Sequence, residues 1–492
     1  MKMRKIAYLF SAVALLFVFA ACGGNDDAPA ANGGNGGGSA AAQTDGGWVD
    51  GQLTGTLNLW TFTEQWQALA VEFVSHHPQL NLNVTFIDDN TGDYQAALLH
   101  ALSTNTNVPD IVTLEAAFLR QFVETEWLAD VSDLLPLTQE LQTFPFTIEA
   151  GRHPDGTQRA FGNQATPGAM FFRRSLALEI FGTDDPAQLQ NYFRDTQTTL
   201  QSAQRIHAAT DGMVHLVSDA MAFFQVFAAN RTDPWVVDGR LVIDPLLTED
   251  FMDFAYAIRA GGFDFEINNW SEGWFAGMSD SFTDAAGNQR QFFAYMLPTW
   301  GLPYVLMPNA VTSANSTFGD WGIIPGPMPY QWGGTFFAVT ANASNPDAAR
   351  AFLQFAALDA EAMTNYALYG WSNEHLMNIY NTHPGTITPP VPAGLSIGTG
   401  DFMSSAYVVN NIAHMFDDSE AADFLGGQNA YAFFGDVAPY VSARLMQATD
   451  FTFNGAFEDA TNLYITGQMT REQAIQNFMQ SVTIEMPDLI ID

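Results

Sequence analysis

Residues 329–339 read PYQWGGTFFAV. An indole, Trp332, stands directly before Gly333 and Gly334, and the glycines open an apolar run. The chemistry open to this trio is contact, not bond-making. Without a Cβ the glycines let the backbone bend and come close to a neighbour, while the indole offers a flat apolar face. The alternative is an indole that plugs a core beside an ordinary turn. Groups that could make bonds are scarcer. Asp88-Asp89-Asn90-Thr91-Gly92-Asp93 is acidic enough for a calcium loop, but counted from Asp88 its sixth position is Asp93 and its twelfth Leu99, where an EF-hand needs Gly and Glu. His76 and His77 are adjacent on a helical pattern, so their rings diverge where a zinc pair needs spacing of about one turn. No nucleophile elbow occurs. A carboxylate pair for glycoside hydrolysis is assembled in space, so sequence leaves that chemistry open.

Cys22 is the only cysteine in the 492-residue chain, which excludes an intramolecular disulfide. It follows a basic start (Lys2, Arg4, Lys5) and an apolar stretch from Ile6 to Ala21, the pattern of a secretory signal. Phe19-Ala20-Ala21-Cys22 resembles a bacterial lipobox, so residues 1–21 read as a lipoprotein signal peptide and Cys22 as the lipidated mature N-terminus. Lipid chains there tether a domain to a membrane face. Residues 22–50, rich in Gly, Ala and Asn, read as a flexible tether. The rest has a globular composition, 47% hydrophobic and 13% aromatic, with the length of two or three structural units. The formal net charge is −36, and both lysines lie in the signal, so every later side-chain cation other than His is arginine. Nucleic acid is excluded as a partner by the missing basic surface, and anionic substrates are disfavoured.

These residues need elements to hold them. TGTLNLWTF alternates as a strand, and Thr63 is expected to cap a helix whose Trp66, Leu69, Ala70 and Phe73 share one apolar face. Pro78 stops that helix, LNLNVTFID gives a second strand, and Asp93 opens a second helix. VPDIVTLE is a third strand. This β-α-β-α-β order implies a parallel sheet with helices on both faces, and ligands gather beyond the carboxyl ends of such strands. That puts Glu64, Asp88, Asp89 and Glu115 on one rim. GAMFFRRSLALEIFG restarts the pattern. In SNPDAARAF, Asn345 caps a helix with Pro346 at its first position. Thr470 and Gln473 form a capping-box pair before Ile475, Phe478, Met479 and Val482.

Taken in order, several segments resemble the extracellular solute-binding proteins of ABC sugar importers, the maltose-binding-protein-like family. They are TLNLWTF, VPDIVTLE with FLRQFVETEWLADVSDLLP, AFGNQATPGAMFFRRSLALEIFG, WFAGM, FFAYMLPTWG, WGIIPGPMPYQWGGTFFAV and ITGQMTREQAIQNF. The resemblance implies an α/β, two-lobed periplasmic-binding-protein fold (type II-like), each lobe a mainly parallel sheet flanked by helices. Residues 51–163 and 334–402 then form lobe 1, and 164–333 with the C-terminal helices of 403–492 form lobe 2. It implies a carbohydrate held in the cleft by Trp332, Gly333 and Gly334, with Trp300 and Trp270 as further aromatic contacts, and Glu115, Glu64, Asp89 and Gln164 as polar ones. Phe453 and Phe457 are further aromatic candidates, whereas Trp274, Trp127 and Trp371 read as structural. The implied partner is an ABC permease, the place an extracytoplasmic membrane face reached through the lipid, and the state a monomer without metal or cofactor. A surface glycan-degrading enzyme and a ligand-sensing receptor partner are the alternatives.

Overall fold

The computed structural model describes residues 52–89, 92–284, 286–369, 387–388 and 401–491. The signal, the tether with Cys22, and Trp371 lie outside the described residues. The first half opens with β1 (Thr54–Thr61), α1 (Gln65–Ser75), β2 (Gln79–Phe86), α2 (Asp93–Thr104), β3 (Ile111–Glu115) and α3 (Ala116–Val123). β1 pairs in parallel with β2 on one side and β3 on the other. The alternation of β1 is the reason: Leu57, Leu59 and Thr61 are buried on one face. The α1 stripe behaves likewise. Trp66 is fully buried, edge-on to Phe337 at 5.2 Å and stacked on Tyr366 at 5.5 Å. One cap differs from expectation. Glu64, not Thr63, occupies the cap position of α1 and makes no side-chain cap bond. Thr63 is held in a tight turn, where its N–H donates to the Thr61 hydroxyl and that hydroxyl donates back to the Thr63 carbonyl.

The sheet is finished by chain from far downstream. Strand Thr335–Val339 inserts antiparallel beside β3, and β4 (Phe161–Gly162) pairs with its other edge. Ile387–Thr388 adds in parallel to β2. The helix Pro346–Leu358 begins as the sequence predicts, with the Asn345 side chain accepting from the Ala348 N–H and Pro346 in the first turn.

The second half is built around β5 (Gly168–Arg173), every residue of which is buried. The α/β two-lobed architecture is as expected, but strand direction here is not. β5 is antiparallel to both of its neighbours, Ala294–Pro298 and Trp321–Ile324. A strand buried on both faces reads as one continuous apolar run whichever way its neighbours point, so its pattern carries no direction. A smaller sheet joins Val214–His215, Gln289–Phe292 and Phe282–Thr283. Helices Met252–Ala260, Asp450–Ile465 and Arg471–Glu485 close this half. Its core is largely aromatic: Trp235 lies 5.6 Å from Phe457 and 5.0 Å from Phe478. The predicted capping box holds, since Thr470 and Gln473 each bond the other's backbone N–H.

Three chain passages run side by side between the halves. The Asn163 N–H donates to Thr335 O, the Gly168 N–H to Tyr330 O at 2.7 Å, and the Ala165 N–H to Phe402 O at 2.9 Å. The stretch after Phe402 serves both sides. Phe402 stacks on Phe144 of the first half, while Phe424 stacks on Trp321 and Phe434 meets Phe171 in the second.

Candidate functional site

A cleft of about 3010 Å³ opens where these passages cross, and nine of the candidate contact residues line it, Phe453 and Phe457 excepted. Its first wall is the carboxyl rim of the parallel strands, the place where α/β sheets present ligand sites. Glu64 follows β1, Asp88 and Asp89 follow β2, and Glu115 ends β3. Glu115 also caps α3, its Oε2 accepting the Ala117 N–H at 2.6 Å. Burial pushes its carboxyl up to about 7, and nearby Asp89 pushes the same way against the two backbone N–H donors. Asp89 is itself raised by burial, although its Oδ1 accepts the Gln95 N–H.

The floor is aromatic. Trp270 and Trp300 stack with centroids 6.1 Å apart and planes 12° from parallel. Trp332 meets both nearly edge-on, at 5.9 Å and 5.6 Å. All three are half-buried and face the cleft. The glycines make this possible. Gly333 has φ +76° and Gly334 φ +110°, and a Cβ on Gly333 would stand 2.8 Å from Trp300 Nε1 and 3.2 Å from Glu115 Oε1. Without that carbon, Trp300 Nε1 donates to Trp332 O at 2.9 Å, and the Thr166 hydroxyl donates to Gly333 O at 2.7 Å. The indole ring system and the Glu115 carboxylate are thus drawn onto one short stretch of backbone. Trp270 sits in the left-handed region at φ +68°, a conformation that costs a bulky residue on the order of 1–3 kcal/mol. Such strain is retained where the surroundings dictate it, and here its neighbours are Trp274 at 4.8 Å and Trp300.

Gln164 is set apart from the other eight. It lies in the first crossing, nearly buried, and hydrogen-bonds Asp401. Asp401 is buried, also takes hydrogen bonds from Tyr366 and Tyr304, and is pushed up to about 6 by desolvation. Trp274 is buried at 2% exposure, and Trp127 packs on the first core, as structural readings require. Phe453 and Phe457 are corrected: both are buried in the second core at 1% and 0% exposure. Their helix does reach the cleft, but with its opposite face, through Phe451, Asn454, Glu458 and Asn462. The polar spacing of Asn454, Glu458 and Asn462 at every fourth residue was the available signal.

Sequence reasoning also missed the cleft's guanidiniums, which arise from scattered positions. Arg259 pairs with Asp219, Asp264 and Glu266, Arg231 with Asp450, and Arg120 with Glu124. Outside the cleft, Glu126, His153 and Asp155 could bring ligand atoms together, but Arg159 already pairs with both carboxylates. No described helix is long and apolar enough to cross a membrane.

The same fold occurs in solved structures. An extracellular solute-binding protein of family 1 superposes with a TM-score of 0.68 at 16% identity, covering 87% of this chain and 99% of its own. The galacto-N-biose-/lacto-N-biose I-binding protein of an ABC transporter from Bifidobacterium longum gives 0.62 at 13% identity, with 89% and 99% covered. The sugar-binding protein MalE from Xanthomonas citri gives 0.61 at 15%, with 87% and 96% covered. At sequence level, residues 68–372 match the family model for bacterial extracellular solute-binding proteins. With that match spanning more than half the chain, and the cleft lying where the two halves meet, the protein belongs to the bacterial extracellular solute-binding protein family, whose members bind solutes outside the cytoplasm and are not enzymes.

Proposed function

We propose that this chain captures a carbohydrate in the cleft and delivers it to an ABC importer, held at the membrane by lipid on Cys22. The observation that carries the reading is the tryptophan floor beside Glu115. The C–H faces of a pyranose pack on indole rings, and its hydroxyls take directed hydrogen bonds from carboxylates and amides at the rim. Gly333 and Gly334 bring backbone close enough to share in that contact. The two halves, 51–163 with 334–402 and 164–333 with the C-terminal helices, act as lobes that close about the three parallel passages. Glu64 and Asp89 are then polar contacts, and Gln164 links the cleft to the hinge. Support comes also from the fold's occurrence in a lacto-N-biose complex and in a sugar-binding MalE.

The experiment is a titration of intrinsic tryptophan emission with a panel of mono- and oligosaccharides, wild type beside Trp332→Ala. Saturable change for at least one sugar, weakened at least tenfold by the substitution, is the expected result. A flat response across the panel from folded protein overturns the reading.

A further inference from the structure

The cleft is acidic on both walls. Carboxylates outnumber guanidiniums along it; Arg120, Arg231 and Arg259 are already paired with acids, and the fourth guanidinium, Arg444, is not among the charged neighbours of Glu115 or Glu458. Two of the carboxylates without a cation beside them fall on opposite sides. On the first wall is Glu115, half-buried, with the backbone N–H groups of Ala116 and Ala117 and no cation beside it. On the second is Glu458, on the helix Asp450–Ile465, which packs against α3. Among the described residues no hydrogen bond or ion pair reaches the Glu458 carboxylate, and its charged neighbours are Asp459 and Asp219, both acids. A concave, partly desolvated, acidic site concentrates its own field. Closing such a cleft on a neutral guest keeps both carboxyls protonated, because burying an unpaired charge is unfavourable.

Resting on the carbohydrate reading above, we propose that the cleft selects a saccharide bearing positive charge, an oligosaccharide with free amines, over its neutral counterpart. Ammonium groups supply the counter-charge that neither Glu115 nor Glu458 has beside it, and the indole floor accepts the sugar's apolar face while attracting a cation near its rings. The protonation of the two carboxylates agrees. Burial pushes Glu458 up to about 8 and Glu115 up to about 7. A bound cation favours the ionised form of each. Glu115 faces Asp89 and the N–H groups of Ala116 and Ala117; Glu458 faces Asp459 and Asp219, the latter paired to Arg259. Binding of an amine at neutral pH therefore releases protons, which a neutral sugar does not do.

The test is calorimetric titration of the full chain with β-1,4-glucosamine oligomers, their N-acetylated counterparts, cello-oligosaccharides and oligogalacturonate. It is run in two buffers of different ionisation heat, at about 20 mM and about 500 mM salt. The expected result is binding of the aminated oligomer at least tenfold tighter than its N-acetylated twin, with net proton release and a preference that shrinks in high salt. Glu458→Gln, which removes no hydrogen bond, should cut the preference at least threefold while the neutral sugars bind as before. Equal affinity for aminated and N-acetylated oligomers overturns this inference and leaves the carbohydrate reading standing. Silence towards every saccharide overturns the carbohydrate reading and this inference with it.

Discussion

At the scale of single residues, the site turns on what Gly333 lacks. Its positive φ and the 2.8 Å approach of Trp300 Nε1 to the place a Cβ would occupy mean that Gly333→Ala meets strain and a clash together. The expected loss is about 1–3 kcal/mol, read as a shift in urea midpoint. Because the indole N–H is what must move, tryptophan emission of the unliganded protein should change as well. An alanine variant with wild-type midpoint and emission would contradict this geometry. The pairing of Trp332 with two glycines was legible in the sequence as a question about close approach. That Glu115 Oε1 would share the same crowded spot was not, because β3 and the glycine pair are brought together only by a long-range antiparallel register.

Secondary-structure elements were legible where the pattern is local. The α1 stripe, the Asn345 cap and the Thr470–Gln473 box depend on residues a turn apart, and each appears in place. Thr63 failed as a cap because a competing hydroxyl, Thr61, reaches the same turn first. Strand direction in the second half was hidden for a different reason: burial on both faces erases the alternation that would orient β5. The helix Asp450–Ile465 shows how an element can be placed correctly and its faces exchanged. Phe453 and Phe457 point into the core and Glu458 lines the cleft. Phe457→Ala should therefore cost about 3–5 kcal/mol of stability, while Asp459→Ala, exposed on the other face, should change it by less than about 0.5 kcal/mol. Comparable losses from both, in denaturant melts, would put the faces the other way round.

Over the whole molecule, the most deeply buried cleft and hinge carboxyls act in one direction. Glu115, Asp401 and Glu458 are all raised by burial, to about 7, 6 and 8, above unfolded values near 4. Between those limits the folded chain binds more protons than the unfolded one, so stability falls as pH rises through the window. Self-repulsion at a formal charge of −36 adds to the fall. Asp130, Asp195 and Asp284 have the opposite shift, held low by hydrogen bonds, and their contribution is lost below about pH 4. Melting temperature should thus be highest near about pH 5 and decline towards pH 8, with a shallower decline in Glu458→Gln. A melting temperature that rises from pH 5 to pH 8 would refute the sign.

The placement of Thr335–Val339 between β3 and β4 reaches beyond the finished molecule to its synthesis. While the ribosome has yet to make that strand, β3 keeps an open edge and the first sheet has no way to close. A topology this non-local matures slowly. For a chain whose family works outside the cytoplasm, lateness is useful: the first sheet locks only once its downstream strand has arrived.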